Sequence, residues 1–270
     1  MHRVTLYIFF ITAYTFGCCT SCINQTHHKK VYNGIDAALY QDTPSWDLVH
    51  AMDIGNWEQA KEEIKKDSSL ANFIEPIYGN SVLFWAALNS NEKAVELLLS
   101  SGAEVNKGNF SGDSPLEMAA FYNPCESHIL GMLLTHQPGE DSLTSYFRNE
   151  ALVLASKKCL NNVKLLIDSG ADPNWISKTE TPLKTLTPLS ASVDREKFDI
   201  AAYYLIELGV NPSTGSITSI DGDTILITEL LQKSYNVIRT FDQEKTRQQI
   251  QKILDFLEKK DPPANRIHPK

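Results

Sequence analysis

GNSVLFWAALNSNEKAVELLLSSGAEVN, Gly79 to Asn106, decides how the rest of the chain reads. It opens with an apolar run holding the small pair Ala86-Ala87 and breaks at the polar Asn89 to Asn91. A second apolar run ends in Leu97-Leu98-Leu99 and closes on Gly102-Ala103. Two short helices joined by a turn are what this pattern predicts, because each apolar run is long enough for a few turns and the break is polar. Small alanines let neighbouring helices approach closely, and leucine pairs fill the layer between them. Such a unit cannot bury its apolar face alone, so it requires neighbours of the same kind.

The neighbours are present. The same order returns as SGDSPLEMAAFYN (Ser111 to Asn123) followed by ILGMLL (Ile129 to Leu134), and as ALVLASKKCLNNVKLLIDSGADPN (Ala151 to Asn174). It returns again as TPLSASVDREKFDIAAYYLIELGVNP (Thr187 to Pro212). The second-helix pairs Leu98-Leu99, Leu133-Leu134, Leu165-Leu166 and Leu205-Ile206 advance by 35, 32 and 40 residues. A helical pair recurring about every 33 residues resembles the ankyrin repeat. Two degenerate units flank the four: LVHAMDIGNWEQAKEEI (Leu48 to Ile64), with Gly55 between its helices, and DGDTILITELLQ (Asp221 to Gln232) with QIQKILDFLEKK (Gln249 to Lys260). The resemblance covers roughly 45 to 260. It implies an all-α solenoid of about six helix-turn-helix units with hairpin loops and degenerate end units, as one domain over 45–265.

Local chemistry agrees with that reading. Gly102, Gly170 and Gly209 follow second helices, where a left-handed residue ends the helix without a side-chain clash. Ser114-Pro115 and Thr187-Pro188 set a capping hydroxyl before a proline that needs no amide donor at the first helical position. Phe84 and Trp85 are expected to pack between units.

The 270 residues are 42% hydrophobic and 21% charged with a net charge of -8. That acidity, without a basic stripe bearing aromatics, argues against nucleic-acid partners. Residues 1 to 22, MHRVTLYIFFITAYTFGCCTSC, place Arg3 before an apolar run from Val4 to Gly17 and then a small-residue, cysteine-rich boundary, the layout of an export signal. The run is shorter than a membrane-spanning helix needs. A small residue before Cys18, and another before Cys22, resembles a bacterial lipoprotein signal; it implies lipidation of Cys18, with Cys22 as the alternative. We expect a signal peptide over 1–17 and an anchor and polar tether over 18–44, leading to a lipid-anchored protein of the bacterial cell envelope, or a secreted or periplasmic one.

No nucleophile elbow, phosphate-binding Gly loop or paired metal-binding motif stands in the repeat region, so no enzyme activity, cofactor or metal is expected. His27-His28 read as solvated linker, Asp221-Gly-Asp223 as a hairpin tip, and His50, His128 and His136 as helix or loop residues. Cys125 and Cys159 lie one repeat apart. Export to an oxidising compartment would permit a disulfide, but equivalent points on packed helices sit about 8–10 Å apart, too far to bridge unless the extra residues around Pro124 close the gap, so two free thiols are expected.

What remains is a binding surface. The ankyrin resemblance implies that hairpin tips and first helices line a concave face that holds a protein partner, with the chain a monomer. The residues mapped there are Tyr78 and Asn80, Phe110 and Asp113, Tyr122, and Trp175, Lys178 and Glu180. Aromatics are over-represented at interface hot spots, which singles out Phe110 and Trp175, unless they fold down over adjacent loops. The alternative function is an inhibitor or immunity-type protein that blocks an envelope toxin or enzyme with its acidic surface.

Overall fold

The computed structural model describes residues 35–125, 128–139, 141–177, 186–215, 217–218, 224–237 and 244–260. The described residues form six consecutive helix pairs: α1 (Trp46–Asp53) with α2 (Trp57–Lys66), α3 (Val82–Leu88) with α4 (Glu92–Ser100), and α5 (Pro115–Tyr122) with α6 (Ile129–Thr135). Next come α7 (Ser142–Ser156) with α8 (Leu160–Asp168), α9 (Pro188–Asp194) with α10 (Phe198–Ala202), which runs on as a π-helical turn (Tyr203–Glu207), and α11 (Ile227–Val237) with α12 (Glu244–Lys260). A two-residue hairpin, β1 (Ile217–Thr218) with β2 (Thr224–Ile225), precedes α11. First helices α3, α5, α7, α9 and α11 pack on one another in chain order. This is the all-helical solenoid of about six units that the period implies.

Each start and stop has a local cause. Ser81 accepts from the Phe84 amide at 3.0 Å, Ser114 forms a reciprocal capping box with Glu117, and Thr187 does so with Ser190. Asn56 and Asn91 cap α2 and α4 by accepting from Gln59 and Ala94. The turns inside the first, second and fifth pairs each contain one left-handed residue, Gly55, Ser90 and Glu196. Past α8, Gly170 has φ 92°, and a Cβ there would also fall 2.9 Å from the Arg148 guanidinium, which donates to the Ser169 carbonyl.

The core runs through the stack: Trp85, Ala86, Ala119, Ala151, Leu98, Leu133, Leu166 and Leu205 are all within 1% of complete burial. Phe84 and Trp85 are both buried, as expected. In the pair Leu165-Leu166, Leu166 is buried while Leu165 is 37% exposed, because adjacent helical residues point about 100° apart.

Four features differ from the sequence reading. The folded part begins before residue 45: a 3-10 turn, Ala37–Tyr40, packs on the stack, and the fully buried Tyr40 hydroxyl donates to the carbonyls of Asn80 and Ser81 at 3.0 and 2.8 Å. Helix α7 starts nine residues ahead of Ala151, capped by Asp141, which accepts from Thr144 at 2.6 Å. Between the two stretches assigned to the last unit, Gln232 and Gln249, the helices run further than the pattern marks, as α11 extends to Val237 and α12 begins at Glu244, with Arg247 4.7 Å over the Tyr235 ring.

The fourth corrects the thiol expectation: Cys125 and Cys159 form a disulfide, with Cα atoms 5.8 Å apart. The segment between α5 and α6 is longer than its counterpart between α3 and α4. Its extra residues carry Cys125 off the helix path to Cys159, the residue preceding α8.

Candidate functional site

The tip before α3 is built around a buried acid. Glu75 is fully buried, and its carboxylate accepts from the amides of Ile77 at 2.7 Å, Tyr78 at 3.0 Å and Asn80 at 2.9 Å. With those donors satisfied from inside, the loop turns Ile77 and Tyr78 outward, 60% and 57% exposed. Asn80 is only 3% exposed, and its side chain accepts from Asn109 at 3.1 Å. It therefore organises the tip and presents no contact surface of its own, a correction to its place among the surface candidates.

Asn109 performs the same task one tip further on, accepting from the amides of Ser111 and Asp113, both at 3.0 Å. The two tips are joined directly: the Phe110 amide donates to the Tyr78 carbonyl at 2.9 Å. The Phe110 ring lies over Gly79, where a Cβ would come within 2.5 Å of it, so only glycine leaves room. Phe110 is nonetheless 72% exposed. The structure thus brings Tyr78, Asn80, Phe110 and Asp113 together on one rim.

Trp175 behaves differently. It is half-buried, its indole N–H donates to Glu150 Oε1 at 2.9 Å, and its ring meets Tyr146 edge-on at 6.1 Å. Ser177 donates to the other Glu150 oxygen at 2.7 Å. Lys178 and Glu180 lie outside the described residues, as do Cys18 and Cys22. Tyr122, 39% exposed, sits at the far end of α5 from Ser114, about 12 Å along the helix axis, and does not join the tips. There Lys158 caps α5 by donating to the carbonyls of Phe121, Tyr122 and Asn123 at 2.7–3.2 Å, and burial lowers its pKa.

The residues that sequence reasoning missed come from the early start of α7. Leu143 and Tyr146 are 50% and 40% exposed, Tyr146 lies beside Trp175, and Glu150 holds that tryptophan. The spacing Leu143, Phe147, Ala151 continues the helical period upstream of Ala151 and is the signal that could have found them. Below them lies Glu117, 6% exposed, which accepts from the Ser114 amide at 2.7 Å. Burial, opposed by the Ser114 hydrogen bonds and reinforced by the charges of Asp113 and Glu150, pushes its carboxyl up to about 7. Burial raises Tyr146 as well, with added repulsion from Glu150, Glu117 and Asp113.

The comparisons agree with this geometry. Residues 85–176 match the family model for ankyrin repeats, in three copies. The fold is similar to the crystal structure of the ankyrin repeat domain of Bcl-3, described as a unique member of the IkappaB protein family: TM-score 0.57 at 19% identity, over 80% of this chain and 86% of that one. Over 117 residues, 42% of this chain, the sequence is 32% identical to human transient receptor potential cation channel subfamily A member 1. The match spans 10% of that relative's length. The fold is that of an ankyrin-repeat solenoid, and ankyrin repeats imply a protein-protein interaction module, a kind of fold that is typically non-catalytic. Among the described residues no helix is long and apolar enough to cross a membrane, and no group of three acidic, histidine or cysteine residues could hold a metal ion.

Proposed function

We propose that the chain is an exported, membrane-anchored interaction module that binds a protein partner through its hairpin tips and catalyses nothing. One observation carries the binding part: Tyr78 and Phe110 are held outward on two tips that are hydrogen-bonded to each other and organised from beneath by Glu75 and Asn109. Rigid, exposed aromatics give up little conformational freedom on binding, so such a rim suits a hot spot. Trp175 and Tyr146 extend it, and Lys178 and Glu180 belong to the same proposed surface by sequence position. The chain acts as a monomer and needs no cofactor in this reading.

Export and anchoring through Cys18, with Cys22 as the alternative, rest on the N-terminal pattern and are supported by the Cys125–Cys159 disulfide, which suits an oxidising compartment outside the cytosol. A polar tether over the roughly 12 residues between Cys22 and Ile35 would reach about 19 Å from a membrane. Capture of partners by cross-linking in intact envelopes, wild type beside a folded Tyr78→Ala/Phe110→Ala variant, tests the binding part; partners retained equally by both contradict it. The inhibitor reading is favoured by the carboxylates at the same rim, and it predicts affinity that collapses with salt, whereas ring-anchored docking keeps most of its affinity.

A further inference from the structure

The Cys125–Cys159 bridge has an open side and a closed one. Cys125 is exposed, on the connection between α5 and α6, whereas Cys159 is 4% exposed and packed at the start of α8. Polar links tie the same turns together without the sulfurs. Ser90, in the turn of the second pair, donates to Asn123 Oδ1 at 2.7 Å, and Lys158, in the turn of the fourth, donates to the Asn123 carbonyl at 3.0 Å. Asn162 on α8 donates to the Ala120 carbonyl at 3.2 Å. The bridge can therefore open while the stack stays closed. Asn123, 1% exposed and two residues before Cys125, keeps its Nδ2 without a partner among the described residues. A segment fixed with a buried donor unsatisfied gains hydrogen bonding when it is released. A thiolate attacks a disulfide along the S–S axis, so access decides which sulfur receives it. Here the exposed end is Cys125. The sulfur that then leaves is Cys159, the N-cap residue of the nine-residue α8, whose side chain makes no cap hydrogen bond in the bridged chain. A thiolate at that position meets first-turn amides and the positive end of the helix dipole, which offsets the desolvation that burial imposes. A bridge kept for stability alone needs neither an exposed sulfur nor a stabilised leaving group.

We propose that the Cys125–Cys159 bridge is a thiol–disulfide exchange site, at which a dithiol protein attacks the exposed Cys125 sulfur and Cys159 departs as the leaving thiolate. The first thiolate of the dithiol bonds to Cys125 Sγ as the bridge breaks; the electron pair goes to Cys159, which takes a proton from water. The second thiolate of the dithiol then attacks its own sulfur in the mixed disulfide, and Cys125 leaves and is protonated in turn. The chain gains two electrons and two protons, and the dithiol loses them and becomes a disulfide. The site lies at the turn end of the helix pairs and stands or falls independently of the tip-docking reading.

The test uses the oxidised full chain, with any free thiols at Cys18, Cys19 and Cys22 first blocked by a maleimide. Reduced glutathione serves as a monothiol probe, the reaction is quenched with iodoacetamide, and the modified peptides are identified by mass spectrometry. Glutathione should be found on Cys125 and the alkyl group on Cys159, with about tenfold or more of the mixed disulfide at Cys125, since access selects the sulfur attacked. Dithiothreitol should reduce the bridge at a rate proportional to its concentration and unchanged by urea below the unfolding transition. Tyr78→Ala/Phe110→Ala should exchange at the wild-type rate whether or not the tips dock a partner. Adducts at Cys159, or equally at both cysteines, overturn the assigned direction of attack. A rate that is independent of dithiol concentration and climbs with urea shows that the bridge opens only by unfolding, and overturns the exchange site. So does a bridge that resists both thiols in the folded chain, or an oxidised chain in which Cys125 and Cys159 are both free.

Discussion

Glu117 shows how a single residue couples the frame to the rim. Its carboxyl caps α5 from inside, yet burial and two nearby carboxylates push it from 4.5 up to about 7. Below pH 4.5 the group is protonated in folded and unfolded chains alike, and burying it carries no charge. Between pH 4.5 and about 7 the unfolded chain gives up the proton that the folded chain keeps, so the stability present at low pH is lost over that window and the loss is complete once the folded state holds a buried carboxylate above about 7. Glutamine keeps the cap and drops the charge. Glu117→Gln should therefore match wild type at pH 4.5 and exceed it by up to about 3 kcal/mol at pH 8, read by denaturant unfolding at the two pH values. A difference that stays constant with pH would contradict the assigned environment. At this scale the sequence was a partial guide. Phe110 and Tyr78 could be picked out as tip aromatics, but Glu75 and Glu150 could not, because an acid that orders a loop from beneath looks like any other loop or helix acid until its donors are known. The partners of Glu150 lie 25 and 27 residues away.

Among elements, the helix pairs were legible because leucine spacing and glycine stops repeat in register. What escaped was whatever broke the repeat. The segment before α6 is longer than its counterpart, and an argument from ideal helix spacing put Cys125 and Cys159 too far apart to bond; in the fold their Cα atoms are 5.8 Å apart and the sulfurs are joined. The bridge closes a loop over a separation of 34 residues. Reduction should lower stability by about 2–4 kcal/mol, measured by urea unfolding with and without a thiol reductant, and unchanged unfolding would contradict a structural bridge. The segment Ala37–Tyr40 escaped for another reason: it lacks a repeat pattern but buries Tyr40 and Ala37 against the stack. A chain beginning at residue 35 keeps this segment. A chain beginning at residue 45 should lose about 2–4 kcal/mol, since it gives up a buried tyrosine and its two hydrogen bonds. Equal stability of the two truncations would place the boundary back at residue 45.

The described helix pairs form a stack in which neighbouring pairs contact one another, so the tips of successive pairs line up into a surface longer than any one loop provides. That is why the fold could be read from a period while the chemistry of its rim could not: repetition writes the frame into the sequence, whereas the rim is assembled from residues of different repeats. Export belongs to this scale too. Blocking lipoprotein processing should leave a larger precursor that fails to reach its membrane, and a chain of unchanged size and location would contradict anchoring at Cys18 or Cys22. The central claim is that the joined tips are where the molecule does its work. Its most direct test is the affinity of the purified chain for the captured partner, wild type against Tyr78→Ala/Phe110→Ala, two exposed rings whose removal leaves the core untouched. A loss of about thirtyfold or more, as for hot-spot aromatics, is the result predicted. An affinity unchanged by removing both rings would contradict it.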